Sequence, residues 1–250
     1  MAVSSAKASA NRLREMLQAS ATPERAAGEA KYLKLKDREN LGVDAPSIHK
    51  IALEYVGEFG LPRDLSVIDG WFWASLEEAT CAIKFMSGQP SFTAATWAVV
   101  EGWCATPDTW ALADPISMVL TAGHLEEGVI SEETLREWSL REEPFWFRRI
   151  ALVTTTTLNG GLSKLARARM GRLGRVPDIG SVPRPRLTLD LLEASIHDKR
   201  HFIRLGIGWA LRILADVAPD ETAEFVSTHR ARITKAMLTK ARLGEDGRRL

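Results

Sequence analysis

The sequence predicts an all-α fold, a solenoid of stacked helix pairs of the HEAT type. Three observations point to it. Apolar residues recur with a 3.6-residue period in segments of roughly 10 to 18 residues along nearly the whole chain. Consecutive segments joined by short turns group into spans of roughly 35 to 45 residues, the length of a helical-repeat unit, although no sequence word repeats cleanly. No alternating run bounded by turn residues marks a strand, and no βαβ alternation is present.

Taken in order, the first periodic segment covers residues 5–20. The second, 23–34, opens at Thr22-Pro23, where the proline presets the helical φ at a position whose N–H needs no intrahelical partner. The third, 47–60, follows Asp44-Ala-Pro46, and the fourth, 75–87, starts at Ser75 with Glu78 three residues on, the spacing of a capping box. Segments 91–103 and 107–121 come next. Ser131 followed by Glu132 and Glu133 introduces 131–141, and 144–158 follows it. The stretch Asn159–Arg186 is rich in Gly, Arg and Pro and reads as the longest irregular segment, a loop long enough to be functional. Segments 187–196, 200–218, 220–228 and 230–243 complete the chain. The expected organisation is a single domain over 1–250, with 159–186 as a basic insertion within it.

Composition narrows the class. The 250 residues are 45% hydrophobic and 26% charged, ordinary for a globular protein and too apolar for a disordered one. No apolar run is long enough to span a membrane, and Met1-Ala-Val-Ser-Ser-Ala-Lys7 lacks the layout of a secretory signal, so a cytoplasmic protein is expected. Cys81 and Cys104 have no zinc-like spacing and read as buried free thiols; neither metal nor cofactor is expected.

The net charge of +1 conceals an asymmetry. Lys164, Arg167, Arg169, Arg172, Arg175, Arg184 and Arg186 face the single acid Asp178 within the insertion. A second run, Arg230, Arg232, Lys235, Lys240 and Arg242, contains no acid between His229 and Gly244. Such local positive fields suit a polyanion, because neutralising phosphates releases condensed counterions.

Several aromatic and charged side chains fall outside the apolar stripes of their helices. At about 100° per residue, Leu112, Ala113, Ile116, Val119 and Leu120 share one side of segment 107–121, leaving Trp110, Asp114, Ser117 and Thr121 on the face expected to meet solvent. Burying a tryptophan is worth about 2–3 kcal/mol, so one left out calls for a ligand or partner. In 144–158 the stripe is Trp146, Phe147, Ile150 and Val153; Arg149 points off it and Arg148 is the more opposed of the two. In 200–218, Trp209 sits at the margin of the stripe beside Arg212 and Asp216, and Gly206 and Gly208 suggest close approach of another group.

Tyr32-Leu-Lys34, Leu41-Gly-Val43 followed by Pro46, Trp110-x-x-x-Asp114, Trp146-Phe-Arg-Arg149-Ile-Ala and Phe202-Ile-x-x-x-Ile-Gly-Trp-Ala-Leu-Arg212 stand in the order and approximate spacing of the AlkD-type DNA alkylation repair glycosylases, which the chain resembles over about 25–243. The resemblance implies a C-shaped HEAT-like stack whose concave basic face holds duplex DNA. It implies hydrolysis of the N-glycosidic bond of cationic N3- or N7-alkylated purines without metal or cofactor. By the same resemblance Trp110 and Trp209 lie against the deoxyribose, Asp114 is the catalytic carboxylate, Arg149 binds a phosphate and Tyr32 lies near the lesion. Arg148, Arg212, Arg167, Arg169, Arg172 and Arg175 are further expected DNA contacts.

The residue types suit that chemistry. An alkylated purine leaves as a neutral base, so the group needing stabilisation is the oxocarbenium-like sugar, which a fixed carboxylate can serve. Pro115 removes the amide that would bond to Ala111, so a kink or restart is expected there. The expected protein is a monomeric alkylpurine DNA glycosylase that associates with the nucleoid when bound to DNA. A non-catalytic relative binding branched or damaged DNA is the alternative, and a protein-protein scaffold a third reading.

Overall fold

The computed structural model describes residues 11–250. The N-terminal residues read for targeting, and the opening of the first expected helix, lie outside the described residues; residues 11–18 are helical. From Pro23 onward the described chain forms α-helices and one π-helical segment. It has no strand, only an isolated bridge between Leu243 and Arg249. None of these helices is long and apolar enough to cross a membrane.

The chain divides into two compact units. One takes in the chain up to Trp103 with Pro107–Leu112 and Ser163–Val176; the other comprises Cys104–Thr106, Ala113–Leu162 and Pro177–Leu250. The basic stretch 159–186 is therefore shared between the units.

In the first unit, the helices Pro23–Leu33, Ala45–Phe59, Leu65–Phe72 and Leu76–Ser87 are set by local signals. Thr22 precedes Pro23 without a side-chain cap, Asp44 accepts from the Ser47 amide, and Ser75 and Glu78 form the expected capping box. Their core is aromatic: Phe72 stacks on Trp103 at 4.5 Å, and Tyr55 meets Trp71 edge to face. Trp103 is fully buried, and its indole N–H donates to Asp69 at 2.8 Å, so the polar end of the ring carries no desolvation penalty. Cys81 and Cys104 are buried and not joined in a disulfide, and burial pushes the Cys81 thiol up to about 12.

The Leu41-Gly-Val43 word has a structural basis. Buried Glu77 accepts hydrogen bonds from the backbone N–H groups of Leu41, Gly42 and Val43 at 3.0, 2.7 and 3.1 Å. Gly42 has φ +81, and a Cβ there would lie 2.2 Å from the Thr22 carbonyl oxygen, so only glycine fits. This turn seats the start of the helix that carries Tyr32.

In the second unit, Trp146–Gly160 packs against Glu132–Leu140, Ile116–Thr121, Pro185–Ser195 and His201–Val217, and the last of these also packs on Lys235–Ala241. The break expected at Pro115 is realised as a change of helix type. The α-helix Trp110–Pro115 ends there and the chain continues as a π-helix, Ile116–Thr121. Proline cannot donate to Ala111, and the wider turn absorbs its ring; the Ser117 hydroxyl donates to the Ala113 carbonyl at 2.6 Å. This corrects the solvent-facing placement of Ser117 and Thr121, both fully buried. Trp146–Gly160 packs on this segment, and the Thr154 hydroxyl donates to the Ser117 carbonyl at 3.3 Å.

Three helices depart from the sequence reading. Leu65–Phe72 and Ala122–Glu126 are too short to show a repeated period. Lys164–Gly171 lies within the stretch expected to be irregular; the Ser163 hydroxyl accepts from the Ala166 amide, and Met170 is its one buried residue, so it carries almost no hydrophobic pattern. The last helix is shorter than expected, Lys235–Ala241, because Thr234 caps it at the Met237 amide.

Candidate active site

Tyr32 and Trp110 belong to the first unit. Tyr32, 70% exposed on the last turn of Pro23–Leu33, meets half-buried Trp110 edge to face at 5.8 Å. The polar segment Leu35–Asn40 positions the approach to Trp110. Arg38 Nε donates to Asp108 at 2.7 Å and its Nη1 to the Phe72 carbonyl at 2.5 Å. Asp108 holds φ 62, and the Thr109 hydroxyl accepts from the Ala111 amide at 3.3 Å, which fixes the turn into Trp110–Pro115. The sequence reading gave Arg38 no role, since its partners are remote in sequence.

The carboxylate belongs to the second unit. Arg149 grips Asp114: Nε and Nη2 both donate to Oδ1, at 3.1 and 2.8 Å, and Nη2 also to Oδ2 at 3.1 Å. Nη1 donates to the Phe202 carbonyl at 2.6 Å, anchoring the guanidinium from the far side. The Arg149 side chain is 5% exposed and that of Asp114 14%. Burial pushes the Asp114 carboxyl above its ordinary value, with Arg149 first and Lys240 second pulling the other way. A carboxylate has room for about four accepted hydrogen bonds, so after Arg149 an acceptor site remains on Oδ2.

Two expectations about the arginines are corrected. Arg149, read as lying off the apolar stripe, is nevertheless buried, because the helix is covered nearly all round and the guanidinium finds a carboxylate and a carbonyl inside. Arg148 is also drawn in. It donates to the Ser139 carbonyl at 2.7 Å and to Asp198 at 2.6 Å, with its side chain 11% exposed, so its charge is neutralised within the protein.

Trp209 is half-buried at the margin of His201–Val217, as the periodicity indicated, and Arg212 is half-buried one turn on. Gly208 admits the close approach that its residue type suggested, whereas a Cβ at Gly206 would meet only ordinary contacts beyond 3.6 Å. The sequence reading left Lys240 in a basic run, but its ammonium lies over the Trp209 ring, 5.7 Å from the centroid.

The basic stretch is less uniformly free than its composition suggests. Arg184 pairs with Glu126 and Glu132, and Arg186 with Asp190. Arg175 stacks over Phe92 at 4.4 Å, and Arg167 is half-buried. Arg169 and Arg172 are exposed. Among the described residues no group of three or more His, Cys, Asp or Glu side chains is placed to hold a metal ion.

Helices alone, with a buried arginine-held carboxylate, define an all-α protein with a built polar site. The DNA alkylation repair enzyme family profile matches residues 13–243, and the chain belongs to that family. Its role is therefore in DNA repair, and DNA is its binding partner. The fold is similar to that of a solved structure described as a predicted DNA alkylation repair enzyme from Enterococcus faecalis, with a TM-score of 0.59 and 19% identity over 86% of this chain and 96% of that one. No protein of curated function matches the chain in sequence.

Proposed function

We propose that this protein is a monofunctional DNA glycosylase that hydrolyses the N-glycosidic bond of cationic N3- or N7-alkylated purines in duplex DNA, on a HEAT-like helical repeat. The observation that carries the reading is Asp114. It is a mostly buried carboxylate, aimed by three hydrogen bonds from one guanidinium and retaining an acceptor site on Oδ2. As the bond to the alkylated base stretches, positive charge moves onto the sugar. A carboxylate already fixed in place stabilises that charge without reorganising, and its free acceptor site can orient the attacking water.

The base carries its own positive charge and departs neutral, so no strong general acid is required. Trp110 and Trp209 supply ring faces for the deoxyribose and attraction to its developing charge of about 0.5–2 kcal/mol each. Gripping the backbone in this way leaves the base free to stay stacked, which would admit bulky as well as methyl adducts. Arg167, Arg169, Arg172 and Arg212 serve the phosphates, whereas Arg149 serves the carboxylate and Arg175 is turned inward over Phe92. The protein acts as a monomer in the cytoplasm, on nucleoid DNA.

The test is incubation with a duplex carrying a single N7-methylguanine, followed by cleavage at abasic sites. Release of the base supports the reading. Tight binding to branched DNA with no base released from any alkylated duplex would replace it with a binding function.

A further inference from the structure

The helices His201–Val217 and Lys235–Ala241 approach closely at Gly208. A Cβ at that position would lie 2.9 Å from both the Lys240 Cβ and the Met237 carbonyl oxygen, nearer than packed atoms come, so the approach depends on glycine. Its consequence falls on the next residue. With the two backbones this close, the Lys240 side chain reaches across Trp209 and sets its ammonium 5.7 Å from the ring centroid. Lys240 is exposed and forms no salt bridge with any described residue, so its charge is not cancelled locally.

We infer that Lys240 is a positioning residue of this site, fixing the plane of the Trp209 ring and holding an uncancelled positive charge over it. The inference rests on the glycosylase reading for its consequence in turnover. Two cations bear on Asp114, Arg149 from Trp146–Gly160 and Lys240 from Lys235–Ala241. They have different tasks. Arg149 is buried and bonded, and sets where the carboxylate points. Lys240 touches no oxygen of Asp114, and acts through space and through the ring. A cation across one face of Trp209 limits the ring's rotation and leaves the other face for a sugar. Loss of that charge lets burial raise the carboxyl further, so the anion is lost at a higher pH.

The test uses the full chain with Lys240→Met, which keeps the apolar stem, and Lys240→Arg, which keeps the charge. The first readout is a carboxyl-carbon NMR titration of Asp114 in the free protein, its signal identified by its loss in Asp114→Asn. The second is the pH profile of single-turnover release of N7-methylguanine from a duplex. In Lys240→Met the Asp114 midpoint should rise by about half a pH unit, the acid limb of the profile should move the same way, and the rate at neutral pH should fall about threefold. Lys240→Arg should restore both. An Asp114 midpoint unmoved by Lys240→Met, or an arginine variant that behaves like methionine, overturns the inference. The titration needs no turnover, so a wild-type protein that releases no base would refute the glycosylase reading while the titration still decides the role of Lys240.

Discussion

Replacing Arg149 with methionine removes the group that aims Asp114 and keeps an unbranched apolar stem. Three hydrogen bonds to Asp114 and one to the Phe202 carbonyl are lost together. Removing one partner of a buried pair costs about 3–5 kcal/mol, and the partial exposure of Asp114 lets water recover some of this, so a loss of about 2–3 kcal/mol in folding stability is expected. The effect on chemistry has a definite sign. Asp114 already titrates above its ordinary value because it is buried, and Arg149 is the largest influence opposing that. Without it the carboxyl rises further, the anion is lost at a higher pH, and the acid limb of base release should move upward by at least about one pH unit, equivalent to about 1.4 kcal/mol. Single-turnover release of N7-methylguanine across the acid and neutral range, beside urea denaturation of the same preparation, measures both. A variant that folds with near wild-type stability and keeps the acid limb in place would refute the reasoning.

Asp198, its side chain 3% exposed, accepts from both Arg148 and Arg200. Burial raises its carboxyl, but those hydrogen bonds outweigh it, and the net position is below the ordinary value. Its contribution to stability is thus present above the ordinary carboxylate range and lost as pH falls through the depressed value. Asp198→Ala should cost about 3 kcal/mol at neutral pH by urea denaturation and flatten the acid side of the stability profile. Gly42→Ala places a Cβ on the Thr22 carbonyl at positive φ and should destabilise by at least about 2 kcal/mol, read as a lower denaturation midpoint. Arg169 and Arg172 are exposed, and changing both to alanine should weaken duplex binding similarly across sequences and reduce the salt slope by up to about 1.8 log units. A slope equal to the parent's would mark them as merely solvated.

Much of the fold was legible because its determinants are local. Ser75 with Glu78, and Asp44 before Ala45-Pro46, mark helix starts through residues three or four apart, and both caps form as written. The displacement of Trp110 and Trp209 from their stripes is likewise a local property, and both rings are half-buried. What was not legible depends on partners distant in sequence. Nothing in Phe145-Trp-Phe-Arg-Arg149 says that both arginines turn inward, since Asp114 and Asp198 meet them only once the helices pack. Arg38 and Glu77 have the same character: each looks like an ordinary surface charge and is occupied by backbone groups some 35 residues away. Lys164–Gly171 escaped because a helix resting on one buried methionine leaves no periodic trace. Gly208 offered the one early hint of Lys240, since a glycine inside a helix favours a close neighbour without saying which residue it is.

The most direct measurement compares wild type with Asp114→Asn in single-turnover release of N7-methylguanine from a duplex at saturating protein. Asparagine keeps the shape and can still accept from Arg149, but it lacks the charge. The wild type should leave abasic sites. The variant should be at least about tenfold slower, equivalent to about 1.4 kcal/mol of transition-state stabilisation, while binding the duplex as tightly or more so. Equal rates for the two proteins, or a wild type that binds the alkylated duplex and releases no base, would contradict the account.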